Sequence, residues 1–333
     1  MAEKKFNAIV TAVGMYFPEK ILDNKYFEQI VETSDEWIVT RTGIKERRIL
    51  ENGATSDLAT LAAEDLIKAH NINKDEIDAL IIATVTPDMF FPSTAALVQL
   101  KLGLPNVWGF DLSAACSGFL FALQTGATLV ESGRYKKVLV IGADKMSSIV
   151  DYTDRNTCIL FGDGASAFLL EPTEDPNLGL KKSILRIDGS GKDYLNMLGG
   201  GSLNPASHET VDKRWHYIYQ DGKAVFKVAV KGMADVSVEL MELSGLKSED
   251  VAYLVPHQAN LRIIDATAER MGVSKDKVMI NIDKYGNTTA ATIPSCITEY
   301  YRAGKLKKGD NLILAAFGAG YTWGASHLVW AID

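Results

Sequence analysis

The sequence predicts an α/β protein assembled from two similar halves. Short apolar runs typical of buried strands alternate with helical patterns along the 333 residues, which is the order that α/β folds produce. Related segments also recur at offsets of 171 to 174 residues, as a duplicated domain would give. Chance similarity between generic α/β segments is the alternative explanation of this repeat.

The composition favours a globular protein of a reducing compartment. Hydrophobic residues make up 47% and charged residues 23%, which is ordinary for a folded chain of one large or two medium domains. The three cysteines show no metal or disulfide spacing, and there is neither a signal peptide nor an apolar run of about 18 residues. A net charge of -7 argues against a general nucleic-acid binder. We therefore expect a cytoplasmic protein with no membrane span, no nucleic-acid partner and no metal.

The first half shows its strands and helices in a regular order. The pattern predicts a strand at 79–84, a helix at 93–102, a short buried strand at 106–110, an apolar helix at 119–130 and a strand at 137–142. This alternation is typical of parallel sheets covered by helices.

The second half repeats part of this plan. The matched pairs are 74–83 with 247–255, the turns at Cys116 and Asn287, and 137–143 with 310–318. The turn-rich segment 171–179 is the natural seam, which predicts halves at residues 1–175 and 176–333. In this arrangement Cys116 and Asn287 occupy equivalent strand-to-helix turns and face the groove between the halves.

Cys116 is the candidate nucleophile because it lies where an apolar strand ends and a helix begins. A helix N-terminus carries partial positive charge and unpaired N–H groups, which lower a cysteine pKa and can hold an oxyanion. The other interpretation is a small buried residue without a chemical role.

Three features of the second half could complete an active site. His257 follows an apolar strand, where open α/β sheets place ligands, although a lone histidine there is more often structural. Asn287 opens a helix and could simply cap it. The glycine-rich segment 316–324 can bring backbone N–H groups close to a ligand, but it lacks the spacing of a phosphate loop.

Together these groups suit chemistry on thioesters. A cysteine thiolate attacks a thioester carbonyl while backbone N–H groups stabilise the oxyanion. A neutral histidine with hydrogen on Nε2 and an asparagine amide are suitable donors to the enolate of a second thioester.

The chain resembles the thiolase superfamily and, within it, the ketoacyl-ACP synthase III enzymes that initiate bacterial fatty-acid synthesis. Six segments carry this resemblance in order: 33–47, 111–119, Arg155 with 161–165, 257–260, 286–287 and 320–324. The resemblance implies a duplicated fold with layers in the order α-β-α-β-α. It also implies that the enzyme is a homodimer. It also implies condensation of an acyl-CoA starter with malonyl-ACP to give 3-oxoacyl-ACP, without a metal or redox cofactor.

The resemblance also implies roles for individual residues. Cys116 would carry the acyl group, His257 and Asn287 would promote malonyl decarboxylation, and the N–H groups of Cys116 and Ala319 would form the oxyanion hole. Phe91 would close the acyl pocket of the partner subunit. The residues implied in coenzyme A binding are Thr33, Trp37, Arg41, Arg155 and Arg262, with Trp37 and Arg155 on either side of the adenine.

The chain departs from the family pattern at three places. Ala319 stands where glycine is usual, Lys223 stands where asparagine is common, and segment 191–219 is longer than in compact members. Two alternative functions stay open: a related synthase of secondary metabolism with another starter or acceptor, and a protein that transfers acyl groups without condensing them.

A basic stripe on a predicted helix suggests where an acidic partner binds. Lys223, Lys227 and Lys231 recur every four residues, and Arg262 lies near the expected mouth of the site. Acyl carrier proteins are strongly acidic, so this stripe would steer and orient them. A solvated helix face is the alternative interpretation.

Overall fold

The computed structural model describes residues 6–333, so the first five residues of the predicted first half lie outside it. Thirteen strands are described: β1 Asn7–Tyr16, β2 Ile21–Asp23, β3 Glu46–Arg48, β4 Ala79–Ala83, β5 Trp108–Leu112, β6 Val138–Lys145, β7 Asp163–Thr173, β8 Gly179–Ile187, β9 Leu195–Asn196, β10 Tyr219–Gln220, β11 Tyr253–Pro256, β12 Asn311–Gly318 and β13 Thr322–Val329. The ten α-helices described are α1 Asn24–Glu28, α2 Asp35–Thr42, α3 Thr55–Ala69, α4 Thr94–Leu102, α5 Gly118–Glu131, α6 His208–Asp212, α7 Gly222–Ser244, α8 Leu261–Met271, α9 Ile282–Tyr285 and α10 Thr292–Arg302.

The two large sheets have the same strand order. The first runs β1-β7-β6-β4-β5, and β4 pairs in parallel with both β5 and β6. The second runs β8-β13-β12-β11, and a parallel bridge from Leu254 to Val278 stands where the first sheet has its fifth strand. All strands of the first sheet precede residue 176 and all strands of the second follow it, as a duplicated chain requires.

Alternation along the central strands sorts the core into separate layers. On β4, Leu80 and Ile82 pack with α3 and α4, whereas Ile81 faces α5 and α10. On β12, Leu314 faces α5 and α10, while the alternate residue Ile313 packs with α7 and α8. The central helix pair is therefore enclosed by both sheets, which gives five layers in the order α-β-α-β-α. This confirms the predicted fold class.

The predicted elements are present with small shifts. The strand expected at 106–110 is β5, two residues further along. The expectation that it is buried is wrong, because β5 is an edge of the first sheet and Trp108 is exposed. The helices expected at 93–102 and 119–130 are α4 and α5. Lys223, Lys227 and Lys231 do lie on one helix, α7. None of the helices in residues 6–333 is long and apolar enough to cross a membrane.

The expected equivalence of Cys116 with Asn287 is wrong by three residues. Each half has a short 3₁₀ turn before its central helix, Ala115–Ser117 and Thr289–Ala291. Both turns begin with a residue at positive φ, 47° at Ala115 and 51° at Thr289. When these two positive-φ residues are aligned, Cys116 corresponds to Ala290, and Asn287 lies before its turn. The two turns are structurally equivalent, but Cys116 lies within the first turn whereas Asn287 lies outside the second.

Candidate active site

A cavity of about 240 Å³ lies where the two halves meet. Cys116, His257, Asn287 and Ala319 all line it. The structure therefore brings together the four predicted residues, although they are spread over more than 200 positions of the chain. Most of the remaining wall is apolar, including Val85, Met146, Ile149, Leu160, Leu195, Val225, Phe226 and Met233.

Cys116 lies in the tight turn directly before α5. Its pKa is raised to about 12, first by burial and then by the nearby carboxylate of Asp144. The backbone N–H of Cys116 and the side chain of Asn287 act in the opposite direction. The predicted lowering of this pKa is therefore wrong, because loss of hydration outweighs the partial charge of the helix N-terminus.

His257 follows β11 and is held from two sides. Its backbone N–H donates to Ala315 of the adjacent strand at 2.7 Å, and its ring Nδ1 lies 2.8 Å from Oγ1 of Thr292. Burial lowers the His257 pKa to about 3, so the imidazole is neutral. Its Nε2 is buried and has no hydrogen-bond partner within residues 6–333. The neutral imidazole that lines the cavity thus has Nδ1 in contact with Thr292 and Nε2 without a partner among the described residues.

The Thr292 hydroxyl does not restrict His257 to one tautomer. Its Oγ1 lies 2.8 Å from His257 Nδ1 and also 2.8 Å from the carbonyl oxygen of Thr289. The single hydroxyl hydrogen can be directed to either acceptor. When it is directed to Nδ1, the neutral imidazole carries its hydrogen on Nε2, which is the form that can donate into the cavity.

The side chain of Asn287 has a fixed orientation. Its Oδ1 accepts a hydrogen bond from the Thr289 N–H at 2.9 Å, so the amide NH2 is left to donate to the sulfur of Cys116. The backbone N–H of Asn287 donates to Leu160 at 2.9 Å. The capping interpretation of Asn287 is wrong, because the helix caps are Thr288 and Ala291. The Asn287 oxygen instead holds the start of the turn, and its nitrogen faces the cysteine.

The hairpin between β12 and β13 approaches the cysteine turn closely. A Cβ at Gly318 would lie 2.7 Å from the backbone nitrogen of Cys116, so only glycine fits there. Ala319 comes next and lines the cavity. It is not among the non-glycine residues with positive φ in the described chain. An alanine is therefore accommodated at 319 without left-handed strain.

Asp144 is a buried group of this region that the sequence analysis missed. It ends the apolar run of β6 and is fully buried. Its carboxylate accepts hydrogen bonds from the hydroxyl groups of Thr84, Thr86 and Thr289. Asp144 thereby ties the turn that holds Asn287 to the first sheet. A carboxylate at the end of an otherwise apolar strand was the available signal.

Two of the residues predicted to bind coenzyme A, Arg41 and Arg155, lie over the ring of Trp37 on α2. The guanidinium carbon of Arg155 lies 5.0 Å from the centre of the Trp37 ring, and that of Arg41 lies 5.8 Å away. An adenine between Trp37 and Arg155 would need a separation of about 7 Å, twice the usual carbon contact distance. Thr33 lies at the start of α2, with its hydroxyl buried. Arg155 must therefore move outward for the predicted sandwich to form.

The predicted basic stripe is exposed on α7. Lys223, Lys227 and Lys231 are all exposed, and the Arg262 guanidinium stacks on Phe226 at 4.7 Å. Because Phe226 lines the cavity, Arg262 lies beside it. The three lysines share α7 with Phe226, and Arg262 comes from α8.

Segment 191–219 contributes to the wall of the cavity. Leu195, Met197 and Ile218 all line it, and Ile218 donates its N–H to Ile149 of the first half at 2.8 Å. Phe91, by contrast, is 85% exposed and does not line the cavity of its own chain. The long segment therefore covers the site, while Phe91 points away from it.

Comparison with known families decides between the possible interpretations of this site. Residues 110–189 match the model of 3-oxoacyl-[acyl-carrier-protein] synthase III, and residues 241–330 match its C-terminal model. A beta-ketoacyl-[acyl-carrier-protein] synthase III of Chlorobium phaeovibrioides is 57% identical over 327 residues, which cover 97% of this chain and 99% of that protein. The chain belongs to the 3-oxoacyl-[acyl-carrier-protein] synthase III family. The resemblance found in the sequence is confirmed, and the protein is an acyl-transferring enzyme.

Solved structures of synthase III proteins have the same fold. The Aquifex aeolicus synthase III has a TM-score of 0.89 at 44% identity and covers 97% of this chain and 100% of that chain. The priming β-ketosynthase of the R1128 polyketide pathway has a TM-score of 0.91 at 33% identity, with coverage of 99% and 98%. OleA of Xanthomonas campestris, at 21% identity, shares the fold alone.

Proposed function

We propose that this synthase III condenses an acyl-CoA starter with malonyl-ACP, releasing coenzyme A and carbon dioxide and forming 3-oxoacyl-ACP. The observation that carries this proposal is the convergence of Cys116, His257 and Asn287 on one largely apolar cavity. The reaction draws on thioester reactivity and on loss of carbon dioxide, so it needs no metal or redox cofactor. We place it in the cytoplasm, where reducing conditions keep the Cys116 thiol free.

In the first half-reaction, the sulfur of Cys116 attacks the thioester carbonyl of the starter. Since burial keeps the resting thiol protonated, ionisation accompanies binding of the substrate, and the released proton ends on the sulfur of the departing coenzyme A. The N–H groups of Cys116 and Ala319 stabilise the tetrahedral oxyanion, and collapse of this intermediate expels coenzyme A. The product of this step is an acyl-Cys116 thioester.

In the second half-reaction, Asn287 and His257 serve the malonyl thioester. The Asn287 NH2 already points to the sulfur of Cys116. Together with the neutral His257 it donates to the thioester oxygen as carbon dioxide leaves and an enolate forms. The enolate carbon attacks the acyl carbonyl, and Cys116 leaves as a thiolate, which takes up one proton from solvent to regenerate the thiol of the free enzyme.

Two substrate carriers reach the same opening in this proposal. Trp37, Arg41, Arg155 and Thr33 bind the nucleotide of coenzyme A, and Arg262 contributes from α8. The stripe of Lys223, Lys227 and Lys231 with Arg262 receives the acyl carrier protein. Stacking of Arg262 on Phe226 supports this assignment, because it holds the cation beside the cavity.

We also propose that the enzyme is a homodimer joined at β5. This strand is an edge of the first sheet, and its Trp108 is 41% exposed. Unpaired edges that carry apolar side chains are suited to pairing with another chain. Phe90 and Phe91, 80% and 85% exposed, are two further apolar side chains at the surface of the first half. In the dimer, Phe91 would close the acyl pocket of the partner subunit.

The decisive experiment follows products from a panel of starters. The enzyme is incubated with malonyl-ACP and acyl-CoA of different length and branching, and products are identified by mass spectrometry. Formation of 3-oxoacyl-ACP supports the proposal. An acylated Cys116 without a condensed product would indicate an acyl-transfer protein instead, and condensation only onto another acceptor would indicate secondary metabolism.

The roles in the two half-reactions are separated by Asn287→Ala. We expect acylation of Cys116 to persist and malonyl-ACP decarboxylation to fall roughly a hundredfold or more, because one enolate donor is lost. Asn196→Ala is the matched control, since Asn196 is a second amide in the same cavity wall. Poor acylation with normal decarboxylation would reverse the assigned roles.

A further inference from the structure

Two hydroxyl groups, a fully buried one on Ser117 and a half-buried one on Thr322, join the two halves directly behind the cysteine turn. The Oγ of Ser117 lies 2.7 Å from the Oγ1 of Thr322, although 205 residues separate them in the chain. Ser117 is fully buried and immediately follows the nucleophile, while Thr322 is the first residue of β13. This contact is independent of His257 and Asn287.

The two hydroxyl groups also hold the backbone on either side. Ser117 and Thr322 contact the carbonyl oxygen of Ala114 at 2.9 and 2.8 Å, and Thr322 contacts that of Ala319 at 3.1 Å. Each hydroxyl has one hydrogen and can also accept. The two hydrogens can make two of these four contacts at a time. When Ser117 donates to Thr322, the Thr322 hydrogen is held by the carbonyl oxygen of Ala114 or of Ala319, so the terminal hairpin is joined to the residue that follows the nucleophile.

Two structural features indicate that this network affects the geometry of the oxyanion hole. Ala115 is at φ 47°, a strained conformation for a residue with a Cβ, and such strain persists only where the surroundings hold it. The close approach of Gly318 to the nitrogen of Cys116 leaves no spare room between the two segments. A small shift of the hairpin would therefore change the separation of the Cys116 and Ala319 N–H groups.

We propose that Ser117 and Thr322 are positioning residues that set the separation of the two oxyanion-hole donors. This inference rests on the proposed function, in which the Cys116 and Ala319 N–H groups stabilise tetrahedral intermediates. It predicts that the pair acts on steps that pass through those intermediates, namely acylation and condensation. Malonyl decarboxylation, which uses Asn287 and His257, does not depend on it.

The test compares Ser117→Ala, Thr322→Val and the double variant. Misplacement of a catalytic group by about 1 Å can cost roughly a hundredfold, so each single variant should lower the acylation rate of Cys116 by about ten- to a hundredfold. The KM for acyl-CoA and the rate of malonyl-ACP decarboxylation should stay within about twofold. Because the hydroxyl groups act as a unit, the double variant should be no slower than the slower single variant.

Two further variants separate positioning from general stability. Thr322→Ser keeps the hydroxyl and should restore acylation to within about threefold of wild type. Ser237→Ala is the matched control, because Ser237 is also fully buried and donates to a carbonyl group, that of Met233, at 2.7 Å. It should lower the melting temperature as much as Ser117→Ala does, without slowing acylation.

The outcomes are distinct. Wild-type acylation rates in folded Ser117→Ala and Thr322→Val would overturn the proposal, as would a parallel loss of decarboxylation. If Thr322→Val fails to fold, Ser117→Ala decides alone, because it removes only one oxygen atom. Failure of the wild-type enzyme to condense any starter would instead refute the proposed function, and acylation of Cys116 would still report on the hydroxyl pair.

Discussion

At the scale of single residues, the ionisation of Cys116 depends on two opposed effects. A helix N-terminus stabilises a negative charge by about 0.3–1 kcal/mol, which is less than one pKa unit. Burial acts in the other direction and raises the pKa from 9.0 to about 12. The effect of burial on the Cys116 pKa therefore exceeds that of the helix N-terminus.

This balance predicts slow alkylation of the resting enzyme. The raised pKa lowers the thiolate fraction near neutral pH well below that of an ordinary cysteine thiol. The rate of iodoacetamide labelling of Cys116 should keep rising with pH through 9, because the raised pKa keeps the thiol protonated until pH approaches 12. Labelling is measured by mass spectrometry of the Cys116 peptide. A plateau below pH 8 would show that the helix terminus dominates.

At the scale of secondary-structure elements, the turn Thr289–Ala291 packs tightly against β6 of the first sheet. A Cβ at Gly142 of β6 would lie 2.3 Å from the carbonyl oxygen of Ala290. We expect Gly142→Ala to cost about 1–3 kcal/mol of stability, the range for overpacked interiors. It should also lower the condensation rate, because the N–H of Thr289 in this turn holds the side-chain oxygen of Asn287.

Melting temperature and condensation rate measure both effects of Gly142→Ala. Gly201→Ala is the matched control, because nothing lies within 4 Å of a Cβ placed there and Gly201 does not have positive φ. If the two variants were equally stable and active, the contact between β6 and the turn would accommodate an added methyl group, which would contradict the prediction.

The basic face of α7 gives a second prediction at this scale. Charge reversal in Lys227→Glu with Arg262→Glu should raise the KM for malonyl-ACP, because an acidic partner loses its electrostatic guidance. The defect should shrink at high salt, where the wild-type enzyme loses the same guidance. Acylation by acyl-CoA is not a suitable control reaction for the double variant, since Arg262 is also proposed to bind coenzyme A. The single variant Lys227→Glu serves instead and should leave acylation by acyl-CoA unchanged.

A remote charge reversal controls for net charge. Lys247 and Lys275 are exposed and lie beyond the C-terminal ends of α7 and α8. Lys247→Glu with Lys275→Glu makes the same change in charge away from the cavity and should leave the KM for malonyl-ACP near wild type. Normal turnover of malonyl-ACP by the first pair at low salt would place the docking site elsewhere.

At the scale of the whole molecule, the exposed edge of β5 predicts association. Trp108→Glu places a charge on the proposed interface and should convert dimers to monomers, as measured by light scattering during gel filtration. Leu203→Glu is the control, because Leu203 is 86% exposed but lies in segment 191–219. A wild-type enzyme that is monomeric at working concentrations would refute both the dimer and the proposed role of Phe91.

The duplicated architecture explains how residues from distant parts of the chain meet. Equivalent strands of both halves end at the groove, so the turns at Ala115–Ser117 and Thr289–Ala291 face one another. The terminal hairpin adds Ala319, and β11 adds His257. Each half alone supplies an incomplete set of groups, and the active cavity exists only between them.

The sequence by itself determined the fold class, the family and the identity of the groups around the cavity. Strand and helix periodicity are local properties, and Cys116, His257 and Asn287 each follow or precede an element that the pattern defines. The tertiary structure alone decided the ionisation of Cys116, because burial depends on what the rest of the chain places around the thiol. It also decided the contacts of Asp144 with Thr289 and of Ser117 with Thr322, which join residues more than 140 positions apart. Periodicity cannot reveal such pairs, since they depend on how separate elements pack.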